Sequence, residues 1–335
     1  MTSKSKPVRA AAIQVEARVA DIPWNIEHAS RLVEEAVGQG AEIVALPEFF
    51  TTCIIYDERV FAASLPPENP ALDMLKEKAR RHRIHIGGSY LEMRNGDVYN
   101  TYVLVEPDGT VHRHDKDLPT MVENAFYVGG RDKGLMETSL GPVGAAVCWE
   151  TVRTQTVKRL RDRVALLMTG SHWWSEPGWK WFRNYWRGLH EGNGRLMART
   201  PGTFAALVGA PLLHAGHASV IEGGMLVLPG MRFSVPMRTQ LMGETQVIDG
   251  EGNLLARRPY GEGAGVAIAD ITLGAVAPRA EMPEGFWIPR LGPMLSFQWH
   301  HQNAAGKAAY RWAKRTGRLR VWEGMRNAQS PGERL

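Results

Sequence analysis

Short apolar runs of strand length recur along this chain, and each hands over to a polar or helix-periodic segment. That alternation limits the folds open to it. Residues 10–15 read as a buried strand and lead into a helix over 25–39, where Ile26, Ala29, Leu32, Val33 and Ala36 share one face. Residues 43–46 form a second buried strand closed by Pro47, and 70–83 a second helix with Leu72, Leu75 and Ala79 inward. Strand candidates follow at 84–90, 98–105 and 110–113, with Asn95-Gly96 and Asp108-Gly109 as hairpin turns between them. A strand over 143–148 precedes a helix over 154–161. A strand over 164–168 precedes a long helix over 179–199, and 204–209 reads as a further strand. The pattern loosens over 212–242, which is rich in Gly, His and Met. It resumes as strands at 246–248, 254–256 and 265–271. Strands alternating with helices predict a layered α/β fold, and the hairpins predict a mixed rather than purely parallel sheet.

Composition narrows the function classes. Apolar residues make up 44% of the chain and charged ones 22%, which suits a folded enzyme-sized core and excludes a disordered chain. Lys and Arg exceed Asp and Glu by 40 to 35, and much of the excess sits in Lys307, Arg311, Lys314, Arg315, Arg318 and Arg320. A solvated helix face accounts for that cluster better than a nucleic-acid tail, so no nucleic-acid partner is expected. No run approaches the roughly 20 apolar residues of a membrane helix, and no signal peptide is read at the N-terminus. The expectation is a soluble, cytoplasmic protein without a membrane partner.

Three strand ends carry reactive groups. Leu46-Pro47-Glu48-Phe49 places a carboxylate past one strand, and His114-Asp115-Lys116-Asp117 a lysine past another. Ala146-Val147-Cys148-Trp149-Glu150 ends a third strand in a thiol. Strand ends are where α/β sheets build sites. Each residue alone has an ordinary explanation: a small core thiol, a capping carboxylate, a solvated lysine. Together they complete a chemical set: a base for the thiol proton, a cation for charge developing on a substrate, and a nucleophile. A thiolate at a strand-to-helix corner is expected to be stabilised by the backbone dipole. The other cysteine, Cys53, reads as a buried small residue, and two cysteines give no disulfide framework.

On these motifs, with Lys116-Asp117-Leu118-Pro119-Thr120, Gly129-Gly130 and the late hairpin over 243–252, the chain resembles the nitrilase, or carbon–nitrogen hydrolase, superfamily over residues 8–272. The resemblance implies a four-layer αββα sandwich, usually paired into a homodimer, with no metal and no organic cofactor. It implies Glu48 as general base and then acid, and Cys148 as nucleophile. Lys116 and the Trp149 backbone N–H would stabilise the tetrahedral intermediate. Glu123, seven residues after the lysine, would be the second glutamate. The expected organisation is a hydrolase domain over 1–280 and a C-terminal extension over 281–335, the latter at an oligomer interface.

The segment after Met168 supplies expected substrate-lining residues: His172, Trp173 and Trp174, beside Trp149. With Met225 to Met242 as an adaptable apolar rim, they predict a bulky or aromatic small-molecule amide. Trp179, Trp181 and Trp186 read as helix packing. Hydrolysis of an amide is favoured over that of a nitrile. Acyl transfer and a non-catalytic binding protein of the same fold are the further alternatives. His214 and His217 lack metal-ligand spacing, and Gly261, Gly263 and Gly265 precede a strand rather than follow one, against a dinucleotide loop.

Overall fold

The computed structural model describes residues 7–175, 183–231 and 233–324. The strands are β1 (Val8–Val15), β2 (Ile43–Ala45), β3 (His85–Arg94), β4 (Asp97–Val105), β5 (Val111–Asp115), β6 (Leu135–Thr138), β7 (Gly141–Val147), β8 (Leu166–Gly170), β9 (Leu212–His217), β10 (Val220–Leu226), β11 (Ser234–Gln240), β12 (Thr245–Ile248), β13 (Leu254–Arg258) and β14 (Gly265–Ile271). The helices are α1 (Ile22–Gly38), α2 (Pro70–His82), α3 (Thr154–Leu160), α4 (Arg183–Val208) and α5 (Pro293–Arg315).

Strand pairing runs β5-β4-β3-β2-β1 on one side and β9-β8-β7-β6 on the other, with β14 antiparallel to β1 and β12 antiparallel to β9. The halves meet in a short parallel bridge, Gln14 to Gly216 and Val15 to His217. Side-chain alternation turns this ladder into layers. In β1, Ala11, Ile13 and Val15 pack under α1 and α2, while Ala10 and Ala12 face the other half. In β7, Ala146 packs under α3 and α4, while Val143, Ala145 and Val147 face inward to meet Ala10, Ala12, Ile43 and Ala45. The order is therefore helix, sheet, sheet, helix, the expected four-layer αββα sandwich.

Three readings change. Residues 204–209 are not a strand: α4 continues through them to Val208, with Phe204, Ala205, Leu207 and Val208 buried under the sheet. A short continuous apolar run looks the same in either state, and here the helix won because its apolar face had a sheet to cover. The loosened stretch holds β9 and the β10–β11 hairpin, and β6 was not anticipated. Trp179 and Trp181 lie outside the described residues.

The C-terminal helix packs on its own chain. Ala305, Ala309 and Ala313 join Val122, Ala125 and Phe126 in one buried cluster. Gly306 lets the helix approach closely, since a Cβ there would fall 2.8 Å from Asn124 Cβ. Asn303 Oδ1 accepts hydrogen bonds from Met121 N and Asn124 Nδ2, both at 3.0 Å.

Candidate active site

Cys148 follows directly on β7 and has φ +53°, a left-handed conformation that costs a non-glycine residue roughly 1–3 kcal/mol. Phe49, after Glu48, and Met121, which opens the 3-10 turn carrying Glu123, bend the same way at φ +54° and +50°. Three such corners converge on one place, so the surrounding structure must hold them. At the Cys148 corner the holder is Glu150. Its carboxylate accepts from Val147 N at 2.7 Å, from Asp117 N at 3.2 Å and from Arg159 Nη2 at 3.2 Å. His114 Nε2 lies 2.9 Å from the same carboxylate, and its Nδ1 lies 2.5 Å from Asp132. Burial disfavours a charged His114, but Glu150 and Asp132 outweigh burial and raise the imidazole to about 10. Arg153 donates to Asp117 and to the Trp149 carbonyl, which closes the network under the turn.

Glu48, Lys116 and Glu123 meet beside the thiol. Lys116 Nζ donates to Glu48 Oε1 at 2.9 Å and to Glu123 Oε2 at 2.7 Å. Glu48 also accepts from Asn100 Nδ2 at 2.8 Å and, through Oε2, from His172 N at 2.8 Å. Glu123 accepts from Thr120 N at 2.9 Å and from the Tyr127 hydroxyl. Reactive atoms of Glu48, Glu123 and Cys148 lie within 4.8 Å of one another. A metal ion could bridge such a trio, but the Lys116 ammonium already binds both carboxylates, so an added cation would enter against its charge. The set is an ion-paired acid–base cluster around a thiol. His214 and His217 stay out of it as ligands. His217 Nε2 donates to the Glu48 carbonyl at 2.5 Å, and burial drives His217 to about 4 and His214 to about 3, so both are neutral.

The electrostatics overturn one expectation. Cys148 is not a dipole-stabilised thiolate at rest. Burial first, then the Glu48 charge beside it, push the thiol well above its usual range. The segment after it is a five-residue 3-10 turn, Cys148–Val152, and not the start of an α-helix. Burial also raises Glu48 to about 7, with Glu123 adding to it and Lys116 opposing. Burial alone would lower Lys116, but the two carboxylates reverse that and hold it well above its usual value, so it stays charged. A neutral thiol therefore faces a carboxylate whose affinity for a proton suits transfer near neutral pH.

Above Cys148 opens a cavity of about 390 Å³. Trp149, His172, Trp173 and Trp174 all line it, together with Met121, Leu196 and residues 289–295. Trp149 stacks on Trp299 with centroids 5.2 Å apart and meets Trp287 edge-on at 5.5 Å. The Met-rich stretch is displaced: Met225 and Met237 line an adjoining cavity of about 250 Å³. The β10–β11 pairing carries them there. Cys53 is buried, donates its thiol to Ala17 O at 3.2 Å, and is raised by burial to about 12.

Sequence reasoning missed Asn100, Tyr127, His217, the Glu150–His114 network, the part of the wall formed by residues 289–295, and Trp287 and Trp299 packed against Trp149. Asn100 did leave a signal. It occupies the inward phase of β4 with Val98, Tyr102 and Leu104, where a polar side chain needs a buried partner.

The sequence profile described as Carbon-nitrogen hydrolase matches residues 9–281. Among curated proteins, a cyanide hydratase from Armillaria gallica is 22% identical over 192 residues, 52% of this chain and 54% of that protein. An omega-amidase from Danio rerio is 33% identical over 140 residues, 38% of this chain and 49% of that protein. The chain thus spans about half the length of these relatives. A CN-hydrolase superfamily protein from Xanthomonas campestris, solved with an arsenic adduct in its active site, superposes with TM-score 0.59 at 19% identity, covering 79% of this chain and 91% of that one. An amidase from Nesterenkonia sp. AN1 gives 0.60 at 17% identity, covering 81% and 93%. At such identities the superpositions speak for the fold. With the profile spanning most of the sequence and that sandwich beneath it, this chain belongs to the carbon–nitrogen hydrolase family.

Proposed function

We propose that the protein is a cysteine-dependent amidase acting on a bulky, largely apolar or aromatic amide. The observation that carries this reading is the meeting of Cys148, Glu48, Lys116 and Glu123 beside a tryptophan-walled cavity that Cys148 and Glu123 line. Glu48 takes the thiol proton as sulfur attacks the carbonyl carbon. The Lys116 ammonium and the Trp149 backbone N–H stabilise the oxyanion. Glu48 returns the proton to the departing nitrogen, ammonia leaves, and the acyl group remains on sulfur as a thioester. Water, deprotonated by Glu48, then attacks the thioester, and the acid and the neutral thiol are released. Glu123, held by Tyr127 and Thr120, fixes Lys116 throughout.

A nitrile route uses the same residues and has support in the similarity to a cyanide hydratase. Incubation with paired aryl and aliphatic amides and nitriles separates the routes. Ammonia release from the aryl amide, with hydroxamate formed when hydroxylamine is added, is the expected result. Turnover of nitriles alone would replace the amidase reading with the nitrilase one.

A further inference from the structure

The charge distribution of the cavity says what else its substrate carries, an inference that rests on the amidase reading. Beside Cys148 the charges are satisfied among themselves: Lys116 is bonded to both Glu48 and Glu123. Arg199 of α4 and Arg290, just before α5, both line the cavity and both are exposed. Among the described residues neither guanidinium has a hydrogen-bond or ion-pair partner. The buried Arg153 and half-buried Arg159 are treated differently: they are tied to Asp117 and Glu150. The cavity's described lining contains no carboxylate besides Glu123.

One amide of the wall, that of Asn193, is already engaged. Asn193 Oδ1 accepts from Trp173 Nε1 at 2.7 Å, and its Nδ2 donates to the Trp174 carbonyl at 2.9 Å. That bond pair fixes the two tryptophans and leaves the amide little for a ligand. Much of the remaining lining is apolar, with Trp149, Trp173, Trp174, Leu291 and Leu295. A volume of about 390 Å³ is room for roughly a dozen waters at about 30 Å³ each, enough for a ring substituted at both ends.

We propose that the substrate is an amide whose apolar or aromatic body ends, away from the scissile carbon, in a carboxylate held by Arg199 and Arg290. A guanidinium presents a planar fork of donors that matches a carboxylate, and two lining one cavity disfavour a cationic end by the same charge.

The test uses Cys148→Ala, which holds ligand without turning it over, and reads its tryptophan fluorescence. The three probes are 4-carbamoylbenzoate, 4-methylbenzamide and 4-(aminomethyl)benzamide. At low salt the carboxylate should bind at least tenfold tighter than the methyl compound and the ammonium compound weakest. The gap should narrow as salt is added. Arg199→Glu with Arg290→Glu in the same background should invert the order. Equal affinities, no binding of the carboxylate, or an order that survives charge reversal would overturn the proposal. Should Cys148→Ala lose its native circular dichroism, Cys148→Ser serves with the same criteria. Ammonia release by the unmodified protein from 4-methylbenzamide judges the hydrolase reading separately, so the two fail independently.

Discussion

Glu48, Lys116, Glu123 and Cys148 are each at most 2% exposed, and the three charged ones are each held by two or more hydrogen bonds. Across the same cavity Met294 is 55% exposed, and Arg199 and Arg290 face solvent. The reacting side is carried on strand ends locked between two sheets. On the proposed reading, the substrate side is carried on Trp173 and Trp174 after β8, on α4, the loop over 289–292 and the start of α5. Reaction geometry has to be held within tenths of an ångström, and buried ion pairs and strained corners do that. Substrate choice needs shape and charge that can change without unfolding the protein, which is what an exposed helix and a loop supply.

The largest effect should come from breaking the locked side. Lys116→Met leaves two buried carboxylates facing each other without their cation. Removing one partner of such a set costs about 3–5 kcal/mol of stability, and turnover should vanish with it. Urea denaturation beside ammonia release reads both. Wild-type stability in this variant would mean that the cluster is not interlocked. Trp174→Ala probes the other side and should do less. It should raise KM for an aryl amide about tenfold, in line with the 1–3 kcal/mol of a buried apolar side chain. The kcat for the smallest amide accepted should stay within about threefold. A kcat loss as large as that of Lys116→Met would erase the distinction between the two sides.

The same contrast explains what could be read from the sequence. Strand ends bearing Glu48, Lys116 and Cys148 were legible because period-two burial marks a strand and an abrupt polar residue marks its end. The family resemblance rested on those same motifs. Glu150 was visible only as a polar residue after the thiol. Its partners His114 and Arg159 come from β5 and α3, with Asp132 of a loop behind His114, and no local pattern announces a buried network assembled across the sandwich. The wall was half legible. Trp173 and Trp174 follow β8 and fall in the cavity, whereas Trp287 and Trp299 reach Trp149 from more than a hundred residues away. The aromatic C-terminal segment suggested a surface needing cover. In the structure, residues 289–295 line the chain's own cavity, and Ile288 N donates to Val152 O at 2.7 Å beside the Cys148 turn. Pocket depth also misled the thiol: a corner looks exposed in a strand-and-turn pattern, yet the layered fold buries it.

The central claim is that Cys148 rests as a neutral thiol and is activated by Glu48. The most direct measurement is the pH dependence of Cys148 alkylation by iodoacetamide, in wild type and in Glu48→Gln, with Cys53→Ala as the common background. A base must be unprotonated to act, so with Glu48 near 7 the rate should rise with pH through about 7 and level off above it. Glu48→Gln should lower the plateau by about 10²–10⁴. A rate already at its plateau by pH 5 and unchanged in Glu48→Gln would contradict the account, because it would mean that the thiolate is preformed.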